Sequence, residues 1–299
     1  MRLALIVILL ISALHICYSK EVFAVGDLHG DWKAAISTFD MMNVIEKGSN
    51  PPKLTLSENQ TLVQTGDLLD RGRNGLQLLR LSMYWHKHHP DQFVQLLGNH
   101  ELMNMQRIFE YVNDEELTPE YRSIFRNSSS SEMIYLENDT IITTIIDDVL
   151  YVHAGLLHEY AILGTEEINQ QTKAALKSKN FRHSLLRSSG PLWTRKLAMK
   201  SCKALTKALK AVNAKHMVVG HTIQKDGVNI QCLDETGHAI ILIDTGISFG
   251  NKGGIKIVDG RYLHVYSEKK GTVVHDLEAK KTFESVVDRV ESAQNRDEL

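Results

Sequence analysis

The chain has 299 residues, a formal net charge of −2 and 43% apolar residues. That suits one large globular domain or two small ones, and the near-neutral balance gives no basic footprint for nucleic acid or for a membrane surface. None of the three cysteines has a metal-ligand spacing, which argues against a zinc–thiolate site.

At the amino end, Arg2 precedes an apolar run from Leu3 to Ile16, too short for a convincing membrane span, and Cys17-Tyr18-Ser19 follow. A charged start, a short apolar centre and small residues at 17 and 19 describe a signal peptide over 1–19, with a retained signal anchor as the other reading. The chain ends Arg296-Asp297-Glu298-Leu299, similar to the lysine- or histidine-led retrieval signals of the endoplasmic reticulum. Together the two ends predict residence in that lumen, a retrieval receptor as partner, and no stable membrane span once the leader is cut. Sequons at Asn59, Asn127 and Asn138 matter only in such a compartment. There Cys202 and Cys232 can pair, and the sequence leaves open whether their Cα atoms come close enough.

Residues 20–295 read as a single domain. A strand over 21–25 runs into Gly26-Asp27-Leu28-His29-Gly30-Asp31, and apolar spacing predicts a helix over 32–42. Asn50-Pro51-Pro52 breaks the chain before a strand over 61–65, which ends on Gly66-Asp67-Leu68-Leu69-Asp70-Arg71-Gly72. A helix over 76–85 closes near His86-Lys87-His88-His89-Pro90, read as a solvated helix end because no carboxylate adjoins the histidines. A strand over 92–97 delivers Gly98-Asn99-His100-Glu101. The charged stretch 102–139 reads as a helical insertion with an exposed loop, placed to wall the site; its Tyr111, Tyr121 and Phe125 either contact a substrate or pack beneath it.

Strands follow over 140–146 and 149–152, the second ending on His153-Ala154-Gly155. Helices are predicted over 166–186 and 197–212, the latter lysine-rich. A strand over 216–220 delivers His221, Asp234-Glu235-Thr236-Gly237 reads as a hairpin turn, short strands continue, and a charged helix over 277–294 closes the pattern. The class is α/β (mixed α+β), two packed mixed sheets flanked by helices.

Five apolar strands therefore end on hard oxygen or imidazole groups, and in open α/β sheets such groups gather beyond the carboxyl ends of the strands. Asp27, His29, Asp67, Asn99, His153 and His221 make a mixed O/N set suited to manganese, iron or zinc. These motifs resemble the PPP class of metallophosphatases, within the calcineurin-like phosphoesterase fold, over roughly residues 21–265. Ala154-Gly155 departs from the paired glycines of the eukaryotic serine/threonine enzymes. Gly190-Pro191-Leu192-Trp193-Thr194-Arg195 and Asp244-Thr245-Gly246 are similar instead to the bacterial-type Shewanella-like protein phosphatases. Asp70-Arg71 argues against the diadenosine-tetraphosphatase-like relatives.

The resemblance implies two divalent ions, manganese being the expected choice in vitro, with Asp27, His29 and Asp67 on one and Asp67, Asn99, His153 and His221 on the other. A bridging hydroxide then attacks phosphorus directly. It implies Arg71 and Arg195 as phosphate binders and His100 as general acid oriented by Asp70. The implied substrate is a phosphoprotein or phosphopeptide, with serine, threonine or tyrosine left open. Nucleotides, dinucleoside polyphosphates and other small phosphoesters are the alternative substrates. A catalytically silent luminal binding module is the alternative of another class.

Overall fold

The apolar runs become strands because both of their faces are covered, so they read as continuous apolar sequence rather than as an alternation. The computed structural model of the chain describes residues 19–279. Strand β1 (Glu21–Val25) leads to helix α1 (Trp32–Met41), β2 (Gln60–Gln64) to α2 (Gly75–His88), and β3 (Phe93–Gln95) to α3 (Asn99–Met105), α4 (Pro119–Arg126) and α5 (Ser131–Asn138). Next come β4 (Thr143–Ile146), β5 (Val149–Val152), α6 (His158–Ala161), α7 (Thr165–Lys177), α8 (Cys202–Ala211) and β6 (His216–Val219). The chain then passes through β7 (Asn229–Gln231), α9 (Leu233–Thr236) and β8 (Ile240–Leu242) to a closing meander of β9 (Gly253–Val258), β10 (Tyr262–Ser267) and β11 (Gly271–Asp276).

The strands form two mixed sheets, as predicted: β11-β10-β9-β1-β2-β3 and β4-β5-β6-β8-β7. β1, β2 and β3 run parallel, as do β5, β6 and β8. Their alternation assigns each strand's two faces to different layers. Val22, Ala24, Val63, Val149, Tyr151, Val218 and Ile241 meet between the sheets. Phe23, Val25, Leu62, Leu150, Val152, Met217 and Leu242 face the helices. On that outer layer Trp85 packs edge-on against Phe39 and Phe93, at 5.0 and 5.5 Å between ring centroids.

Several predicted boundaries shift, each for a local reason. The helix of the insertion starts at Asn99, so Asn99 and His100 occupy its first turn. The strand expected from 140 begins at Thr143, because the Asn169 side chain takes the Ile142 and Thr143 N–H groups at 2.9 and 3.2 Å. The helix expected over 166–186 ends at Lys177, ahead of left-handed Lys179, and 184–186 is a separate 3-10 turn. Left-handed Lys200 likewise delays α8 to Cys202. The hairpin expected at 234–237 is the single-turn helix α9, closed by left-handed Gly237. The predicted leader (apart from Ser19), the tail 296–299 and the final helix beyond 279 lie outside the described residues.

Cys202, at the start of α8, is bonded to Cys232, just before α9, with 5.2 Å between their Cα atoms. The bridge closes a sequence separation of 30 residues. Loop-closure entropy for such a span gives roughly 3–4 kcal/mol. Cys232→Ser should lower the stability of the folded chain by that order, and urea unfolding of both forms, followed by circular dichroism, measures it.

Candidate metal centre

The loops after β1 and β2 are laced together by their backbones. Leu28 and His29 N–H groups both donate to the Asp67 carbonyl at 2.9 Å, and the Gly72 N–H donates to the His29 carbonyl at 2.9 Å. The second loop is held in an unusual shape, with left-handed Asp67, Asp70 and Arg71 at φ of 58°, 72° and 66°. Glu101, buried in the first turns of α3, supports it. Its carboxylate accepts N–H groups from Gly98 at 2.9 Å, Asp67 and Leu68 at 2.8 Å, and Leu69 at 3.1 Å. Gly98 and Gly220 have no room for a Cβ, since Asp67 lies against the first and Asp27 against the second. These glycines let the strand ends approach the acids closely.

His29 donates from Nδ1 to the Leu69 carbonyl at 2.8 Å, which leaves Nε2 bare. That Nε2 lies 3.7 Å from Asp27 Oδ2 and 3.6 Å from Asp67 Oδ2, has no hydrogen-bond partner, and belongs to a residue 1% exposed. His153 repeats the arrangement. Its Nδ1 is engaged by the Thr65 carbonyl at 2.8 Å, and its Nε2 faces Asn99 Oδ1 at 2.9 Å and Asp67 Oδ2 at 3.4 Å. His221 turns Nε2 to the Trp193 carbonyl at 3.2 Å, and its backbone N–H donates to Asp27 Oδ1 at 2.9 Å.

Two sets of donor atoms result, Asp67 with His29 and His100, and Asp67 with His153 and His221, the atoms of each lying within 4.8 Å of one another. Asp67 belongs to both, while Asp27 and Asn99 adjoin them through His29 and His153. A buried imidazole lone pair facing two carboxylates is not how an ordinary interior satisfies its polar groups. A pair of divalent cations fits it. Burial pushes His29 down to about 3, and burial with the neighbouring His153 does the same to His221, so both present lone pairs at neutral pH. Burial, followed by the charges of Asp244 and Asp67, raises the Asp27 carboxyl well above its ordinary range. Burial also opposes the Asp67 charge, but His153 and His100 outweigh it and hold that carboxyl well below its range.

His100 stands with its ring edge-on to His29, 4.5 Å between centroids, and its Nε2 is 3.9 Å from Asp67 Oδ2. Its Nδ1 is committed to Asp70 Oδ2 at 2.6 Å. Burial disfavours its charged form, yet Asp67 and the Asp70 hydrogen bond raise its pKa above the usual imidazole value. Arg71 and Arg195 are exposed. The charge of Arg71 reaches Asp27, His29 and His100, and Arg195 Nη2 donates to the His221 carbonyl at 3.3 Å.

All ten residues singled out in the sequence therefore converge on one place. Of the insertion's aromatics, Tyr121 and Phe125 are buried, whereas Tyr111 is 52% exposed with its ring 5.3 Å from that of His100. Sequence reasoning assigned no role to Glu101 or Asn104, left Tyr121 between substrate contact and packing, and named Asp244 only as part of a motif. Glu101 carries a signal, an acid three residues after Gly98, which caps the helix. Asn104 sits one turn beyond His100 on the same face. Tyr121 is buried, so of its two alternatives packing holds, and Asp244 is marked only by its place in Asp244-Thr245-Gly246.

Residues 21–225 match the calcineurin-like phosphoesterase family. The chain is 32% identical over 252 residues to an uncharacterized protein of Schizosaccharomyces pombe, covering 77% of this chain and 74% of that one. It is 25% identical over 297 residues to Shewanella-like protein phosphatase 2 of Arabidopsis thaliana, covering 79% and 73%. A cold-active protein-tyrosine phosphatase of a psychrophilic Shewanella shares the fold, with a TM-score of 0.68 over 88% of this chain and 80% of that one at 22% identity. With the family match spanning most of the chain and its strand ends carrying the paired donor sets, this protein belongs to the calcineurin-like phosphoesterases.

Proposed function

We propose that the chain is a PPP-type, metal-dependent phosphoprotein phosphatase that hydrolyses phosphomonoesters in the lumen of the endoplasmic reticulum. The observation that carries the reading is the pair of buried donor sets sharing Asp67, flanked by His100–Asp70 and two arginines. Asp27, His29 and Asp67 would hold one divalent ion, and Asp67, Asn99, His153 and His221 the second. When bound, such a pair supplies charge stabilisation for the phosphoryl group and a water acidified enough to react near neutrality.

The protein's own groups do the rest. Arg71 and Arg195 bind the phosphate oxygens with permanently charged paired donors. His100 gives its Nε2 proton to the departing ester oxygen as the P–O bond breaks, while Asp70 keeps the Nδ1 proton in place. Water supplies the new P–O bond, so the products are a free hydroxyl compound and inorganic phosphate. Both cysteines among the described residues are tied in the disulfide, which leaves no thiol there for a covalent route. A protein substrate is supported by the Arabidopsis relative, a protein phosphatase by name, which matches 79% of this chain. The completeness of the site speaks against a silent binding module. The luminal address is supported by the leader-like start, the terminal Arg-Asp-Glu-Leu, the pairing of Cys202 with Cys232 and the exposure of sequon Asn127.

Chelation should abolish hydrolysis of 4-nitrophenyl phosphate and manganese should restore it, with Asp67→Asn losing both bound metal and rate; full turnover by metal-free protein would end this reading. His100→Asn should cost ~10²–10⁴-fold on phosphomonoesters with poor leaving groups and far less on 4-nitrophenyl phosphate, at unchanged metal content. A panel of phosphoserine, phosphothreonine, phosphotyrosine and dinucleotide substrates separates protein from small-molecule specificity. Deleting residues 296–299 should divert the protein to the medium, and Asn127→Gln should remove a glycosidase-sensitive mobility shift. Cytosolic protein that retains Met1 contradicts the address.

A further inference from the structure

A line of buried polar groups runs away from His100 into the insertion. Asp70 offers one oxygen, Oδ2, to His100 Nδ1 and the other, Oδ1, to Asn104 Nδ2 at 2.7 Å. The second hydrogen of the same amide goes to the His100 carbonyl at 2.9 Å. Asn104 Oδ1 in turn accepts the Tyr121 hydroxyl at 2.8 Å. Asn104 and Tyr121 are each 0% exposed, and Asp70 is as well. The Asp70 carboxylate and the His100 carbonyl can only accept, so they fix the amide nitrogen of Asn104 on their side. The amide oxygen is thereby left facing Tyr121, and the phenol must donate to it.

The geometry points to Asn104 and Tyr121 as positioning residues for the general acid. This inference rests on the role proposed above for His100 and extends it to two residues that belong to neither donor set. Tyr121 orients Asn104, Asn104 fixes the rotation of the Asp70 carboxylate, and Asp70 holds His100 with Nε2 aimed toward Asp67. The donors along the series are fixed from the Asp70 end, where the carboxylate and the His100 carbonyl can only accept. A polar series in a core costs desolvation at every member. An amide serving packing alone at position 104 would be replaceable by leucine without consequence for the acid. The insertion then contributes to the reaction from beneath: α4, which carries Tyr121, is anchored by packing of that ring against Phe109 outside the helix, at 6.0 Å between centroids, with Phe125 one turn on in α4 beside it at 5.0 Å.

The test compares phenyl phosphate, whose leaving group needs a proton, with 4-nitrophenyl phosphate, whose leaving group departs largely unaided. The full chain is used, loaded with manganese, as wild type, Asn104→Leu, Tyr121→Phe and His100→Asn, with bound metal measured for each. Asn104→Leu should lose ~10–100-fold in kcat/KM on phenyl phosphate, the scale typical of groups that orient a reacting residue, and under about threefold on 4-nitrophenyl phosphate. Tyr121→Phe keeps the ring and should show the same selective loss at about fivefold, the scale of one hydrogen bond. In a His100→Asn background neither substitution should cost anything further. Equal losses on both substrates, losses that persist without His100, or no loss at all would overturn the inference. If His100→Asn keeps its own selectivity in those cases, the reading of His100 survives and only the positioning role falls. If His100→Asn shows no selectivity, the acid role falls and this inference with it. Should Asn104→Leu fail to fold, Tyr121→Phe decides alone.

Discussion

Four backbone N–H groups from two different loops converge on the Glu101 carboxylate, and the rest of the site depends on that convergence. The loop after β2 carries three non-glycine residues in left-handed backbone, a conformation that costs of order 1–3 kcal/mol each. Hydrogen bonds to a charged acceptor contribute about 1.5–3 kcal/mol each, so the three from Asp67, Leu68 and Leu69 are of the size needed to hold that loop. Burial and the adjacent Asp67 charge push the Glu101 carboxyl up to about 7, while the N–H groups of Leu69 and Asp67 pull it the other way. The clamp thus works against the same carboxylate whose position it secures, and Asp67 is central because every imidazole of the site faces it.

The two sheets place the loops before any side chain is considered. β1, β2 and β3 end at one edge of the first sheet, β5 and β6 at the corresponding edge of the second. The packed faces hold those edges together through Val22, Val63, Tyr151 and Val218. Asp27 and His221, 194 residues apart in the chain, meet through a single hydrogen bond across that seam. Close-packed interiors transmit small displacements rather than absorbing them, so the distance between the donor sets is a property of the sheet packing.

The insertion divides its aromatics between two tasks. Tyr111 stands exposed beside His100, and its carbonyl accepts the Arg71 N–H at 2.8 Å, linking the rim to the loop after β2. Tyr121 and Phe125 lie beneath and fill the core under α3 and α4. Thr118 and Ser130 cap α4 and α5 through their side chains, a local feature that stabilises short helices.

The ligand-bearing motifs were legible in the sequence because each follows an apolar run whose two faces are both buried, so burial itself marks where a strand ends and a polar loop starts. The two-sheet architecture was legible for the same reason, as was the apolar face of α1. The ends of the irregular elements were not: Asn169 shortens β4, and left-handed Lys200 delays α8. The pairing of Cys202 with Cys232, the four donors to Glu101 and the Tyr121–Asn104–Asp70 series also became visible only in three dimensions. Each joins side chains whose neighbours in the chain carry no mark of the partner, as Tyr121 and Asn104 do across 17 residues. Periodicity and turn chemistry are local and can be read along the chain, whereas the direction of a buried hydrogen bond is decided by which groups close packing leaves without water.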